Sequence, residues 1–202
     1  TYMGCRTRVL GNRCGEAQVN GRGNLSFTTI NLVRLGIEHK GDWTAFDEML
    51  DHRLNQVLDQ LLTRKAYQAK KQVKNFPFLM GQGIWRSSDG LKREDYIESV
   101  LNEGTLSIGF IGLAECLVAM MGQHHGACKD AQRQGLRIVQ KMYDFCEVKS
   151  TELNLNITLL ATPAEGLAGR FTQLDRTRYG VLPGVTDLEY STNSFHVPVH
   201  YQ

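Results

Sequence analysis

The chain has 202 residues, of which 23 are Lys or Arg and 21 are Asp or Glu, giving a formal net charge of +2. This near balance gives no argument for nucleic acid or a membrane surface as a partner. A hydrophobic fraction of 42% is enough for the core of one domain, or of part of a larger one. The longest apolar stretch, around residues 108–121, is interrupted by Gly109, Gly112 and Glu115, so we predict no membrane span.

The number and spacing of the cysteines bear on two possibilities, a set of disulfide bonds and a zinc site. Their number is odd and no pair has CxxC spacing, so neither a disulfide framework nor a zinc site is expected within this chain. The N-terminus lacks the charged-then-apolar pattern of a secretory signal. A reducing cytoplasm therefore fits best. The five cysteines are Cys5, Cys14, Cys116, Cys128 and Cys146.

The first part of the chain predicts a loop, a strand and a long helix. Residues 11–23 are rich in Gly and Asn and predict a surface loop, and residues 25–33, rich in Phe, Thr and Ile, predict a buried strand. Residues 43–70 predict a helix because apolar side chains recur every three or four positions. Either Asp42 or Thr44 could cap its start.

The second part alternates between helical and extended patterns. The predicted helices are residues 92–102, 113–121, 127–147 and 166–172, and the predicted strands are residues 105–111 and 153–160. The helix over 127–147 is expected to bury one stripe, formed by Leu136, Val139, Met142, Tyr143 and Cys146. Alternating strands and helices of this kind predict an α/β fold with parallel strands.

Six ordered segments carry a resemblance to a known family. They are YMGCRTRV (2–9), GRGNLSFTTINL (21–32), FPFLMGQG (76–83), GTLSIGFIGLAEC (104–116), TLLATPAEGLAGRF (158–171) and NSFHVPV (193–199). Over nearly its whole length the chain resembles the anaerobic (class III, glycyl-radical) ribonucleoside-triphosphate reductases. The resemblance implies part of a ten-stranded α/β barrel built from two five-stranded halves with a finger loop through the centre.

The same resemblance implies that residues 1–202 are a fragment of the catalytic barrel domain. They would supply the tip of the finger loop and much of the second half-barrel. The N-terminal regulatory region and first half-barrel, and the C-terminal region with its zinc-binding cysteines and radical glycine, are expected to lie outside this chain.

Cys5 is the first candidate catalytic residue. Gly4 permits unusual backbone angles, and Arg6 and Arg8 bring positive charge close to the thiol. These neighbours alone favour an ordinary cysteine in an exposed loop. The resemblance implies that Cys5 forms a thiyl radical, which removes a hydrogen atom from C3′ of the ribose. The radical would originate on a glycine outside this chain.

The turn formed by Thr162, Pro163, Ala164, Glu165 and Gly166 is the candidate substrate-binding element. It follows a predicted strand and opens a predicted helix, where backbone N–H groups and the helix dipole can hold a phosphate. On local grounds alone, an ordinary connection between strand and helix is the favoured interpretation. The resemblance implies that the backbone of this turn grips the substrate phosphates, with Glu165 turned to a donor or to the ribose.

Asn24 and His196 are further candidates, each with a structural alternative. Asn24 could hydrogen-bond a ribose hydroxyl or formate, or it could satisfy a turn at the start of its strand. The aerobic relatives carry a redox cysteine at the corresponding place, and its absence here fits formate as the reductant. The resemblance places His196 near the substrate side, whereas the residues alone also allow a packed strand position.

Two other features are interpreted as packing. Gly109 and Gly112 allow close backbone approach at the end of a strand, and tight packing is the favoured reason. Cys116, on the helix that follows, is expected to be a buried small hydrophobe. His124 and His125 are adjacent and so cannot point at one metal ion.

The resemblance also implies the partners of the full-length protein. They are a ribonucleoside triphosphate as substrate, formate as co-substrate, a radical-SAM activating enzyme and a second subunit in a homodimer, with zinc bound outside this chain. Two alternatives remain open. One is another glycyl-radical enzyme of the formate-lyase type, against which the phosphate-turn segment speaks. The other is a truncated, non-catalytic nucleotide-binding protein.

Overall fold

The computed structural model describes residues 9–194, so the predictions for Cys5 and His196 lie outside the described residues. The described part contains three strands and six α-helices, with a 3₁₀ turn at Val73–Asn75. In chain order the elements are β1 (Asn24–Asn31), α1 (Leu32–Glu38), α2 (Trp43–Ala69), α3 (Glu98–Leu101), β2 (Thr105–Ile111), α4 (Leu113–Met121), α5 (Lys129–Leu153), β3 (Asn156–Ala161) and α6 (Glu165–Tyr179).

The three strands form one parallel sheet in the order β1-β2-β3. Parallel neighbours need a long crossover between them, and here helices supply each crossover. The central strand β2 is buried at six of its seven positions, as expected for a strand covered on both faces. The α/β class with parallel strands is therefore confirmed.

The chain divides into two compact units, and the strands and the two long helices pass through both. Among the described residues, the first unit comprises 9–28, 57–108 and 145–159, which include the amino ends of all three strands. Its core contains Trp85, whose indole N–H donates to the Val100 carbonyl at 2.9 Å. The second unit comprises 29–56, 109–144 and 160–194 and includes the strands' carboxyl ends.

The predicted strand over 25–33 is wrong at its end. β1 stops at Asn31, and the next seven residues form α1. The Asn31 side chain accepts a hydrogen bond from the Arg34 N–H at 3.4 Å, which makes it the N-cap of the helix. Leu32 and Val33 are buried, whereas only Ile30 is buried in β1, so the prediction of a buried strand over this range is also wrong.

The predicted helix over 92–102 is also wrong for most of its length. Only Glu98–Leu101 is helical, and Asp95 instead accepts a hydrogen bond from the Lys92 N–H at 2.8 Å in an irregular turn. By contrast, the strand predicted at 105–111 and the helix at 113–121 are confirmed. α2 ends one residue early, and its start is capped by Asp42, which accepts from the Ala45 N–H at 3.0 Å.

The later helices are longer than predicted. α5 runs to Leu153 and delays β3 to Asn156, and α6 begins at Glu165 and continues to Tyr179. The predicted stripe of α5 is wrong at Leu136, which is 65% exposed, and at Tyr143. Met142 and Cys146 of the predicted stripe are buried as expected, and Ala131, Gly135 and Ile138, at helical spacing before them, complete the buried face.

Helices α1 and α4 approach closely at Gly36, which gives a stability prediction. A Cβ at Gly36 would lie 2.7 Å from the carbonyl oxygen of Cys116, a backbone atom that cannot rotate away. We expect Gly36→Ala to lower stability by about 1–3 kcal/mol, because it overpacks this contact. Thermal unfolding of the full-length protein measures the effect. Gly90→Ala is the control, since nothing lies within 4 Å of its added Cβ, and an equal melting shift in both variants would contradict the prediction.

Candidate active site

The carboxyl ends of the three strands lie in the second unit, and each leads through a turn into a helix. β1 passes through Asn31 into α1, β2 through Gly112 into α4, and β3 through residues 162–164 into α6. Ligands of parallel α/β sheets commonly bind beyond this end of the strands. These three turns are therefore the candidate region for ligand binding.

Thr162 is buried, and each of its polar groups has a protein partner. Its N–H donates to the Phe110 carbonyl at 3.1 Å, and its carbonyl accepts from the Ser194 N–H at 3.3 Å. Its hydroxyl oxygen accepts from Thr29 Oγ1 at 3.0 Å. Thr162 therefore fixes the turn to β1, β2 and the segment before His196. Its amide is already engaged, and Pro163 has no amide N–H, so any phosphate contact from this turn falls to the residues after them.

Those later residues form the exposed beginning of α6. Ala164 is buried at the N-cap and supplies no side-chain hydrogen bond to the helix, whereas Glu165 and Gly166 are exposed. The first amides of an α-helix have no acceptor inside the helix, so they face outward with the positive end of the helix dipole. Nothing lies within 4 Å of the position a Cβ would take on Gly166. A ligand phosphate can approach the backbone there.

The turn after β2 is held by a buried carboxylate. Glu115 is fully buried in the first turn of α4 and accepts from the N–H of Thr192 at 2.9 Å and from its hydroxyl at 2.8 Å. The Thr192 carbonyl in turn accepts from the Gly112 N–H at 2.6 Å. These bonds hold residues 191–194 beside the start of α4, and the Ser194 bond to Thr162 continues the arrangement toward α6.

Gly112 owes its identity to both backbone angle and space. Its φ is +75°, a left-handed conformation that favours glycine, and an added Cβ would lie 2.1 Å from Val33 Cγ2. Tight packing is thus the reason for this glycine. Cys116 is fully buried as expected, and burial, helped by neighbouring Glu115, raises the pKa of its thiol, so it stays protonated.

A second buried acid fixes the turn after β1. Asp175 of α6 is fully buried and accepts from Asn31 Nδ2 at 2.7 Å and from Arg34 Nε at 2.7 Å. A buried carboxylate is tolerated when it is paired and hydrogen-bonded in this way. The contact ties the carboxyl end of β1 to the helix that carries the candidate phosphate turn.

Asn24 lies in the first unit, at the amino end of β1. Its amide is 3.2 Å from Ser107 Oγ, which is 3.1 Å from Thr158 Oγ1, so a polar chain crosses all three strands. With its amide nitrogen turned inward, Asn24 donates to the Thr105 carbonyl at 2.7 Å. The structure thus gives Asn24 hydrogen-bond partners within the sheet. Asn24 belongs to the first unit, and the 162–166 turn belongs to the second.

The functional residues that the sequence did not reveal are those that hold the turns in place. Glu115 and Asp175 are both fully buried acids, and Thr29 supplies the hydroxyl partner of Thr162. The importance of Glu115 could have been recognised from the sequence, because it is the one charged residue within an otherwise apolar run at 108–121. Asp175 could not be recognised in this way, because the polar and charged residues Gln173, Arg176 and Thr177 stand close to it in the sequence.

Two absences hold for the part of the chain that the structure describes. Between residues 9 and 194, no three His, Cys, Asp or Glu side chains are grouped so that they could hold a metal ion. In the same range, no helix is both long and apolar enough to cross a membrane. His124 accepts a hydrogen bond from the Gly126 N–H at 3.2 Å, consistent with a role in the turn between α4 and α5.

The described residues form an α/β fold in which three parallel strands lead into helices, and a helix N-terminus such as the exposed start of α6 is of a kind that can hold an anion. The family model described as anaerobic ribonucleoside-triphosphate reductase matches residues 1–202. The chain belongs to this family. It is 36% identical to the anaerobic ribonucleoside-triphosphate reductase of Salmonella typhimurium over 98% of its own length, and it spans only 28% of that relative.

Solved structures share the fold. The anaerobic ribonucleotide reductase from Thermotoga maritima with glycerol in the active site superposes with a TM-score of 0.67 at 19% identity, covering 96% of this chain and 30% of that one. The same reductase in complex with dATP and CTP superposes with a TM-score of 0.59 at 18% identity, covering 95% of this chain and 30% of that one. At these identities the likeness shows the fold alone.

Proposed function

We propose that this chain is part of the catalytic barrel of an enzyme that reduces ribonucleoside triphosphates to 2′-deoxyribonucleoside triphosphates without oxygen. One observation carries the proposal. In a chain that belongs to the reductase family, the turn after β3 presents an exposed helix start with Gly166 open to an approaching phosphate. A barrel of ten strands would be completed by parts of the protein outside these residues.

The role of Cys5 follows from the chemistry of the reaction. The C2′ hydroxyl is a poor leaving group until a hydrogen atom has been removed from C3′, and an unactivated C–H bond requires a radical to break it. A cysteine thiyl radical has a matching S–H bond strength. Cys5 takes the C3′ hydrogen, becoming a thiol, and returns a hydrogen atom when the 2′-deoxy sugar has formed.

Formate balances the reaction as reductant. One formate and one proton are consumed for each nucleotide, one C2′–OH bond is lost as water, and formate leaves as carbon dioxide after giving up two electrons. Asn24, at the amino end of β1, hydrogen-bonds formate or a ribose hydroxyl in this scheme. The supporting observation is its position in a polar chain with Ser107 and Thr158.

Phosphate binding falls to the residues of the turn that begin α6. The amides of Ala164, Glu165 and Gly166 hold the triphosphate, while Thr162 and Pro163 set their position and His196 contributes from the substrate side. The fully buried carboxylates of Glu115 and Asp175 support this arrangement by fixing the turns on either side. A related structure in complex with dATP and CTP supports nucleotide as the ligand class.

The remaining components belong to the full-length protein. A glycine outside this chain carries the stored radical, a radical-SAM enzyme generates it, and zinc binds outside this chain. The full-length protein acts as a cytoplasmic homodimer. The alternative of a formate-lyase type enzyme is disfavoured by the family match, and a non-catalytic remnant is the remaining competitor.

An anaerobic assay of the activated full-length protein tests the proposal. We expect each ribonucleoside triphosphate consumed to yield one 2′-deoxy product and one labelled carbon dioxide from ¹³C-formate. Deoxynucleotide formation without labelled carbon dioxide would remove formate as reductant. No deoxynucleotide from a protein that carries its glycyl radical would overturn the reductase assignment.

A further inference from the structure

We propose that a buried polar cluster, formed by Asn12, Arg22 and Asn156 and called here the loop anchor, positions the segment that carries Cys5. The proposal rests on the proposed function, because that function assigns the thiyl radical to Cys5. The anchor lies wholly in the first unit, at the amino ends of the strands. The hydrogen bonds of its side chains go to other protein groups, so we assign its residues a positioning role.

Arg22 forms the first half of the anchor. Its guanidinium is 4% exposed and donates three hydrogen bonds to backbone carbonyls: to Glu103 at 2.6 Å, to Leu10 at 2.7 Å and to Gln18 at 2.7 Å. Arg22 itself stands two residues before β1, and Glu103 stands two residues before β2. The Arg22 side chain thus links the backbone at Leu10, five residues after Cys5, to the segments just before β1 and β2.

Asn12 and Asn156 form the second half. Asn12 accepts from Asn156 Nδ2 at 2.9 Å and donates to Glu103 Oε2 at 2.6 Å. Asn156, the first residue of β3, accepts from the Arg13 N–H at 2.9 Å and donates to the Asn102 carbonyl at 2.9 Å. Residues 10–13 are therefore bound to the start of the third strand as well.

A second arginine, Arg86, makes further bonds to the same loop and to Glu103. The Arg86 N–H donates to the Gly21 carbonyl at 2.6 Å, and its side chain donates to Gln18 at 2.6 Å and pairs with Glu103 at 3.5 Å. A polar loop could remain on the surface with its carbonyls in water. Burying a charged guanidinium is costly, and Arg22 Nη2 has no hydrogen-bond partner among the described residues, so the cost is offset only if the other nitrogens keep all three carbonyls in place. The cluster therefore selects one conformation of the loop.

The chain length between Leu10 and Cys5 makes that conformation matter for the thiol. Five residues span at most about 18 Å even when fully extended, so fixing Leu10 limits the positions that Cys5 can reach. Hydrogen-atom transfer needs the sulfur and C3′ within contact distance and aligned, and a misplacement of about 1 Å costs about 100-fold in rate. An anchor at the base of the segment supplies this alignment.

Arg22→Lys in the activated full-length enzyme tests the anchor. Lysine keeps the charge but cannot hold three separate carbonyls in the fixed fork of a guanidinium. We expect kcat to fall by about 10- to 100-fold, with KM and the glycyl-radical content within about twofold of wild type. The kinetic isotope effect of 3′-deuterated nucleotide should rise, because hydrogen removal becomes rate-limiting.

Asn12→Ser is the second variant, and Arg64→Lys is the matched control. Asn12→Ser loses the bonds to Asn156 and Glu103 while leaving Arg22 intact, and it should change kcat and the isotope effect in the same direction. Arg64 is an exposed arginine of the same unit that binds Ser26, Phe27 and Thr28 of β1, so its replacement should leave both quantities within twofold.

The outcomes separate the anchor from the proposed function. A wild-type enzyme that makes no deoxynucleotide overturns the proposed function before any variant is compared. With an active wild type, unchanged kcat and isotope effect in folded Arg22→Lys and Asn12→Ser overturn the anchor. Loss of the wild-type melting transition in both variants also overturns it, because the cluster would then serve folding and not the placement of Cys5.

Discussion

Cys5→Ala in the full-length, activated enzyme is expected to abolish nucleotide reduction while the glycyl radical still forms. Alanine has no S–H bond to break or remake, so the C3′ hydrogen cannot be removed. We expect turnover to fall by more than about 1000-fold, which corresponds to about 4 kcal/mol of activation free energy. Deoxynucleotide yield measures the loss, and electron paramagnetic resonance measures the radical. Cys5→Ser should behave in the same way, because its O–H bond is too strong to take part.

Cys128→Ser is the matched control for this experiment. Cys128 precedes α5, and its sulfur accepts from the Ala131 N–H at 3.4 Å, a capping bond that a serine hydroxyl can replace. Its turnover should therefore equal that of wild type. Cys14 lies in a different setting, where burial and nearby Glu103 raise the pKa of its thiol and disfavour the reactive thiolate. Turnover of Cys5→Ala above a thousandth of wild type would remove Cys5 from the mechanism.

The sequence predicted best where pattern and packing agree. β2 and α4 were predicted to the residue, because the strand is rich in apolar residues and Gly112, with its positive φ, separates it from the helix. The boundary between β1 and α1 failed for the opposite reason. The apolar residues Leu32 and Val33 directly follow the strand, and the change of backbone at Asn31 depends on one capping bond to Arg34.

The segment before β2 failed because long-range contacts decide its conformation. Residues 92–97 have a composition that permits a helix, but the Ile97 N–H donates to the Lys71 carbonyl at 3.0 Å and the Val73 N–H donates to the Asp95 carbonyl at 3.0 Å. Those bonds join residues more than 20 positions apart, and local helix propensity does not weigh them. The structure of this segment therefore could not be predicted from its own sequence.

The candidate site shows the same division between local and distant causes. The turn at 162–166 was recognisable, because a strand, a proline and a glycine before a helix form a local pattern. The partners that hold it were not, since Thr29 is 133 residues from Thr162 and Asn31 is 144 residues from Asp175. Arg22 was assigned to a surface loop for the same reason, because its burial depends on Glu103, 81 residues away.

Gly166→Val is expected to raise the substrate KM strongly with little loss of stability. Gly166 is exposed at the second position of α6, and nothing lies within 4 Å of an added Cβ, so the protein itself accommodates the new side chain. A triphosphate held by the amides of this helix start would meet the two γ-methyl groups of valine. Loss of hydrogen bonds to a charged group costs about 1.5–3 kcal/mol, which predicts a rise in KM of roughly 10- to 100-fold.

Thr162→Val provides the comparison, because it changes the same turn without filling the space at Gly166. It removes the hydroxyl that accepts from Thr29, which should lower stability by about 1 kcal/mol and leave KM within about threefold. Steady-state kinetics and thermal unfolding of both variants, each as the activated full-length enzyme, separate binding from folding. A KM that does not change in Gly166→Val, or a bound triphosphate that lies away from the start of α6, would show that residues 162–166 only connect β3 to its helix.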